Sequence, residues 1–91
     1  MSYKLEVTGQ YLKDLKRARK RKFDEALLNK VVAQLMEGTP LAPKHRDHVL
    51  VGDYRGKREC HITPDWLLIY SKDESIRLIK LVRTGTHSDL F

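Results

Sequence analysis

The sequence has a single cysteine, and it has no long apolar run, internal repeat or low-complexity linker. The single cysteine, Cys60, excludes an internal disulfide framework. No apolar run approaches the roughly 20 residues that cross a membrane, and the opening residues MSYKLEVTG lack the apolar centre of a signal peptide. We therefore expect a cytoplasmic protein that does not bind membranes, with residues 1–91 folded as a single domain.

Positive charge is what the sequence has in excess. The 91 residues carry a formal net charge of +6, and seven of the ten residues from Lys13 to Lys22 are basic. An excess of positive charge attracts phosphate polyanions, acidic proteins or anionic membranes, and it does not indicate which of them is the partner. The basic run is typical of a solvated helix face, and it could also follow a phosphate backbone through non-specific contacts.

The first half of the chain reads as one strand followed by two helices. Residues 3–8 alternate between apolar and polar side chains, which predicts a short strand. Residues 10–21 carry apolar side chains at helical spacing and predict a first helix. A broad apolar stripe over residues 27–36 predicts a second helix, with Asp24 as its N-cap and Gly38 at its end.

The second half changes to the period of strands. The pattern predicts strands at residues 48–51, 58–62, 66–70 and 76–83, a polar turn at 71–75 and one helical turn within 86–91. The order predicts an α+β domain: an N-terminal strand, a two-helix hairpin, then a mainly antiparallel sheet of about four further strands with the helices on one face. If Cys60 and Ile62 point to the helices, Glu59 and His61 lie on the opposite face. For residues 76–83, the alternation does not show which face is buried.

The histidines lie in segments rich in other polar groups: His48 ends HRDH, which also contains His45, while His61 is in ECHITPDW and His87 in RTGTHSDLF. Histidine exchanges protons near neutral pH because its ordinary pKa is about 6.5. Internal cleavage of RNA needs a base for the 2′-hydroxyl, an acid for the departing 5′-oxygen and positive charge beside the phosphate. The residues of suitable type, which we expect to converge at one rim of the sheet, are His48, His61, Asp65, Arg83 and His87.

Several of these residues have a simpler structural interpretation. Asp65 could be only a turn residue, and Arg83 an exposed strand charge or a partner of Glu59. Phe91 could stack on an unpaired base or be a frayed end that packs nowhere. His45, in a loop, fits a structural role best.

Two residues and one possible metal site are given no functional role in this interpretation. Trp66 and Cys60 are expected in the core. His45 and His48 have a spacing that could suggest a metal site, but the chain has no CxxC motif or carboxylate-rich partner set. We therefore expect no metal and no cofactor.

The residues DHVLVGDYRGKRECHITPDWLLIY (47–70) and RTGTHSDLF (83–91) resemble YafQ-type toxins of the RelE/ParE superfamily of bacterial toxin–antitoxin systems. The segment QYLKDLKRARKR resembles that family's first helix, so the likeness covers nearly the whole chain. The resemblance implies a small RelE-like RNase fold and an endoribonuclease that cuts messenger RNA in the ribosomal A site. Its partners would be the ribosome, messenger RNA and a cognate antitoxin that holds it inactive.

Position by position, the resemblance implies that His48, His61, Asp65 and His87 are catalytic. His87 would be the general acid and His48 or Asp65 the base, while His61 would support one of these roles. Arg83 matches a phosphate-binding arginine and Phe91 a residue that holds a nucleotide; we expect Lys44 and Arg46 to add RNA contacts. Val49 departs from the family, which often has proline there.

Two other functions remain open at this point. One is a ParE-like toxin that inhibits gyrase without catalysis, although the histidine set argues against it. The other is an RNA-binding module that uses the basic face of residues 13–22 and leaves the RNA uncut.

Overall fold

The computed structural model describes residues 2–91, which contain five strands and three α-helices. The strands are β1 (Lys4–Val7), β2 (His48–Val49), β3 (Arg58–Thr63), β4 (Trp66–Asp73) and β5 (Leu78–Gly85), and the helices are α1 (Gly9–Lys20), α2 (Glu25–Glu37) and α3 (His87–Leu90). One sheet has the order β1-β5-β4-β3-β2, in which only β1 and β5 run parallel. This architecture confirms the predicted α+β class. No helix within residues 2–91 is both long and apolar enough to span a membrane.

The helix ends follow the capping residues in the sequence. The hydroxyl of Thr8 accepts a hydrogen bond from the amide of Tyr11 at the start of α1. The carboxylate of Asp24 accepts one from the amide of Ala26 at the start of α2. Gly38 ends α2 in the left-handed conformation with φ of 79°, where a side chain would be strained. The predicted N-cap and stop of the second helix are both confirmed.

The main core lies between α1, α2 and one face of the sheet. Its sheet residues include Cys60, Ile62, Ile79 and Leu81, so β5 buries its Ile79–Leu81 face. Burial raises the pKa of the Cys60 thiol to about 12, so this cysteine is an inert core residue, as expected. Trp66 is also buried, with its ring centroid 5.1 Å from that of Phe23.

A smaller apolar cluster covers part of the opposite face. Leu67, Ile69 and Leu90 are buried there, with Tyr54 and Val82 packed against them. Leu90 belongs to α3, so the last helical turn docks on the face of the sheet that α1 and α2 leave uncovered.

The hairpin between β4 and β5 differs from its predicted position. Residues 71–73 belong to β4 and not to a turn, because Asp73 still pairs with Leu78. The carboxylate of Asp73 then accepts hydrogen bonds from the amide and hydroxyl of Ser75, which closes the turn one step later. β5 accordingly begins and ends two residues later than predicted. The polar residues 71–73 form the part of β4 that extends beyond the core.

Candidate functional site

A row of paired residues crosses the sheet on the face opposite α1 and α2. Backbone pairing aligns His48 with Glu59, Glu59 with Ile69, and Ile69 with Arg83. Side chains of directly paired residues lie on the same face, and Ile69 identifies that face through its packing with Leu90. His61, two residues after Glu59, shares it, as predicted.

Glu59 holds the centre of this row. Its Oε1 lies 3.4 Å from Nε2 of His48 and 3.7 Å from Nε2 of His61. The Glu59 side chain is only 8% exposed, whereas the His48 side chain is 49% exposed. One buried carboxylate oxygen therefore faces two imidazoles from neighbouring strands, the more accessible of which is His48.

A backbone contact defines which nitrogen of His48 can exchange protons. Nδ1 of His48 lies 2.6 Å from the carbonyl oxygen of Arg46. A carbonyl oxygen only accepts, so Nδ1 carries a hydrogen in this contact. Nε2, the nitrogen beside Glu59, is then the one that takes up or releases a proton.

His45 has the structural position expected from the sequence. Its Nδ1 lies 2.6 Å from the carbonyl oxygen of His61. The short 3₁₀ turn Pro43–His45 is thereby attached to β3, which fixes the loop that leads into β2 and His48.

Arg83 is bound to α1. Its Nε donates to Oδ2 of Asp14 at 2.8 Å and its Nη2 to Oδ1 at 3.0 Å. The amide of Thr84 donates to the same carboxylate at 3.2 Å. The partner of Arg83 is therefore Asp14 and not Glu59, which corrects the alternative considered from the sequence. Its side chain remains 22% exposed.

Opposing effects act on the Asp14 carboxyl. Burial alone would raise its pKa, but hydrogen bonds from Arg83, Gln10 and the Thr84 amide outweigh burial and bring the pKa below its ordinary value. The Arg83 pKa lies far above its ordinary value, chiefly because of the hydrogen bond to Asp14. Both groups are therefore charged at neutral pH.

The C-terminal turn brings His87 and Phe91 together. Their ring centroids are 4.9 Å apart at an interplanar angle of 29°, and the Tyr54 ring meets Phe91 edge-on at 5.5 Å. The Tyr54 hydroxyl also donates to the Leu90 carbonyl at 3.2 Å. Phe91 is 55% exposed, yet these contacts show that the interpretation of a frayed end that packs nowhere is wrong.

Strand pairing brings the start of α3 near His61. His61 pairs with Leu67, and Leu67 pairs with Gly85, two residues before His87. Two strand spacings of 4.8 Å place the Cα atoms of His61 and Gly85 roughly 10 Å apart. His48, His61, Arg83, His87 and Phe91 thus occupy one region of the sheet.

The other residues singled out from the sequence lie differently. Asp65 is exposed in the turn between β3 and β4 and borders a cavity of about 300 Å³ together with Leu27 and Trp66, which belong to the helix side. Lys44 borders a cavity of about 500 Å³ beside Leu27 and other α2 residues. Arg46 is exposed at φ of 46° and contributes its carbonyl to the His48 contact.

Three further residues of this region escaped the sequence interpretation as parts of a site. Glu59 had one signal, its alternation with His61 on the polar face. Asp14 had another, as the single acidic residue in the basic run 13–22. Tyr54 had none, because its contacts depend on the docking of α3.

Comparison with known proteins shows strong similarity over the whole chain. The family model described as "Bacterial toxin of type II toxin-antitoxin system, YafQ" matches residues 3–91. The mRNA interferase toxin YafQ of Escherichia coli (strain K12) is 42% identical over 88 residues, which are 96% of this chain and 94% of that protein. The crystal structure of YafQ from E. coli strain BL21(DE3) has a TM-score of 0.91 at 38% identity and covers 98% of each chain. The YafQ chain in the crystal structure of the E. coli DinJ–YafQ toxin–antitoxin complex has a TM-score of 0.90 at 39% identity, covering 100% of this chain and 99% of that one.

Proposed function

The chain belongs to the YafQ family of toxins from bacterial type II toxin–antitoxin systems, and on this premise we propose that it is an endoribonuclease that cuts messenger RNA in the ribosomal A site and inhibits translation. The YafQ relative from Escherichia coli (strain K12) is named an mRNA interferase toxin. The observation that carries the proposal for this chain is the pair of imidazoles that share Glu59 on an exposed sheet face.

The first step of the proposed reaction is attack of a 2′-hydroxyl on the adjacent phosphate. Nε2 of His48 takes the hydroxyl proton, while Nδ1 is held by the Arg46 carbonyl. Glu59 then compensates the positive charge that develops on the imidazole. His61, on the same carboxylate oxygen, supports or shares this role. These contacts favour His48 over Asp65 as the base, because Asp65 borders a cavity on the helix side.

The second step is departure of the 5′-oxygen, which takes a proton from His87. Phe91, stacked against His87 and partly exposed, offers a ring on which a nucleotide can stack. The products are a 2′,3′-cyclic phosphate and a 5′-hydroxyl. Side chains supply every proton in this route, so we propose that it needs no metal ion or cofactor.

Positive charge beside the phosphate comes from Arg83 in this proposal. Asp14 accepts from Nε and from one N–H of Nη2, and the Tyr54 hydroxyl also interacts with the guanidinium, so a phosphate oxygen would bind at the remaining N–H groups. Lys44 and Arg46 would add contacts farther along the RNA. Asp14 offsets part of the attraction, and in return it fixes the direction of the guanidinium.

Exposure of the site supports dependence on the ribosome. His48 and Phe91 are about half exposed and His87 is also exposed, so little of the protein surrounds a bound nucleotide. Reaction rates depend steeply on the alignment of the reacting groups. We propose that the ribosome supplies the alignment by holding the message in the A site.

Substitution of His87 tests the proposed nuclease. We expect His87→Ala to slow cleavage of ribosome-bound message by about 100- to 10,000-fold, the usual contribution of a general acid. Primer extension on translated message measures the cleavage, and thermal unfolding verifies that the variant is folded. Glu37→Ala changes an exposed side chain at the end of α2, outside the site, and should retain cleavage.

A folded His87→Ala protein that cuts at the parent rate would overturn this role. Growth arrest by variants of His48, His61 and His87 that leave messages intact would instead favour a non-catalytic inhibitor. If RNA bound by the parent protein remains uncut, the protein would instead be an RNA-binding module.

A further inference from the structure

Asp89 joins α3 to α1 through charged hydrogen bonds. Its Oδ2 lies 2.6 Å from Nη1 of Arg21, and its Oδ1 lies 3.2 Å from Nη2 of Arg21 and 3.3 Å from Nη1 of Arg17. The Asp89 side chain is 12% exposed, in contrast to 40% for Arg21. The hydrogen bond from Arg21, with help from Thr86, holds the pKa of this carboxyl well below its ordinary range, so the group is ionised at neutral pH.

The same carboxylate fixes the start of α3. Oδ2 accepts a hydrogen bond from the Thr86 amide at 2.9 Å, while the Asp89 amide donates to the Thr86 hydroxyl at 3.2 Å. This reciprocal capping box orients the first turn. On the other side, a Cβ at Gly85 would lie 2.9 Å from Oδ2. The carboxylate thus fills the space between Gly85 and the arginines.

α3 depends on such attachments for its orientation. It spans only four residues, His87–Leu90, and a single helical turn is not stable by itself. Its apolar attachment is Leu90, buried against Leu67 and Ile69. Leu90 and the Tyr54 contacts hold the turn on the side of the sheet, and Asp89 adds an anchor toward α1 that restrains rotation of the turn.

We propose that Asp89, through Arg21, is a positioning residue for RNA cleavage: it fixes the orientation of α3 and so the placement of His87 and Phe91 over the sheet. The proposal rests on the nuclease function proposed above. Asp89 acts through His87 and does not contact the RNA. Since a misplacement of about 1 Å can cost roughly 100-fold in rate, loss of this anchor should affect turnover.

Two substitutions break the anchor from opposite sides. Asp89→Asn retains an oxygen that can cap Thr86 but loses the charge, and Arg21→Gln leaves the cap intact. Lys20→Gln is the matched control, because it removes the same charge from the neighbouring position of the basic run. Single-turnover cleavage of ribosome-bound message is measured over a range of ribosome concentrations for each protein and for the Asp89→Asn, Arg21→Gln double variant.

At saturating ribosomes, we expect each anchor variant to cleave about 10- to 100-fold more slowly than the parent protein. Its rate should also lie well below that of the Lys20→Gln protein. The concentration of ribosomes at half-maximal rate should match that of Lys20→Gln. The double variant should be no slower than the slower single variant, because both remove one interaction. Amide exchange at Leu90 and Phe91, followed by NMR, should accelerate in the anchor variants alone.

Anchor variants that cut at the Lys20→Gln rate would overturn the positioning role, as would effects that multiply in the double variant. An effect confined to ribosome affinity would also overturn it, since Arg21 would then be an RNA contact. A parent protein that fails to cut any message would overturn the nuclease function itself, a result distinct from these.

Discussion

Asp14 and Glu59 are buried carboxylates with different kinds of partner. Asp14 binds a guanidinium, which stays protonated at every physiological pH. Glu59 faces two imidazoles, and an imidazole can both accept and donate a proton. The first pair is therefore permanent and suits the fixed placement of the Arg83 guanidinium. In the second group, the Glu59 carboxylate can compensate the positive charge of an imidazole that takes up a proton, which suits a site of proton transfer.

Glu59→Gln should separate stability from activity. The substitution preserves size but removes the charge that balances a protonated imidazole, so we expect cleavage at least about tenfold slower. Stability should be unchanged or higher, because a buried carboxylate pays a desolvation cost that an amide avoids. Single-turnover cleavage and thermal unfolding measure the two effects.

The matched control for this test is Glu37→Gln, which changes an exposed carboxylate at the end of α2 and should alter neither quantity. Cleavage by Glu59→Gln at the parent rate would remove Glu59 from the mechanism.

The positions of some site residues could be predicted from the sequence, whereas the contacts between them could not. Strand alternation placed His61 on the polar face, because side chains alternate with a period of two. The approach of His48 to Glu59 depends on the register between β2 and β3, and a two-residue strand carries too little pattern to show it. The ion pair of Asp14 with Arg83 spans 69 positions and left no local signal beyond the isolated acidic residue.

At the scale of elements, α1 completes the sheet edge where β1 stops. β1 ends at Val7, which pairs with Leu81. The Thr84 amide lies beyond that end, and Asp14 of α1 accepts its hydrogen bond. The same carboxylate then holds Arg83, so α1 both covers the edge and aims the guanidinium.

Removal of Asp14 should therefore destabilise the fold. We expect Asp14→Ala to lower the free energy of unfolding by about 3 kcal/mol, at the low end for a broken buried ion pair because Arg83 is partly exposed. Urea denaturation at pH 7 measures the change, with Asp53→Ala in an exposed turn as the control. A loss below about 1 kcal/mol would mean that the pair is replaceable by water.

The stability difference should also depend on pH. The pKa of Asp14 is lower in the folded protein than its ordinary value, so its ionisation stabilises the fold above the unfolded-state pKa of about 3.9. That contribution is lost as the pH falls from there through the folded pKa. The gap between the parent protein and Asp14→Ala should be full at pH 5–7 and shrink below about pH 4. A gap that grows on acidification would contradict this assignment.

Elements with local signals were predicted from sequence and those set by pairing were not. Asp24 and Gly38 marked the second helix because capping is a local interaction. The turn after β4 was misplaced because its polar strand residues look like a turn until Asp73 is seen paired with Leu78. The register of β4 and β5 shifts between Ile69, which pairs with Arg83, and Tyr70, which pairs with Leu81. This shift leaves no mark on the alternation of either strand.

At the scale of the whole molecule, the net charge of +6 selects partners of opposite sign. A YafQ relative has been crystallised with the antitoxin DinJ, and we propose that a cognate antitoxin binds this chain. Complementary charge favours an acidic partner and speeds association. The same surface would serve the ribosome when the antitoxin is absent.

Co-expression tests the antitoxin proposal. We expect a short protein encoded beside this chain to co-purify with it at physiological ionic strength and to suppress message cleavage in a translation extract. Association should slow as salt is raised, because charge steering is screened. Separate elution of the two proteins, with cleavage undiminished, would argue against the partnership.

The ends of the cleaved message test most directly whether imidazoles on one sheet face cut RNA through its own 2′-hydroxyl. Message cleaved on translating ribosomes by the parent protein is analysed for its terminal groups. We predict a 2′,3′-cyclic phosphate on the upstream fragment and a 5′-hydroxyl on the downstream fragment. A 3′-hydroxyl with a 5′-phosphate would show that water, and not the neighbouring hydroxyl, attacked the phosphate, and would contradict the account.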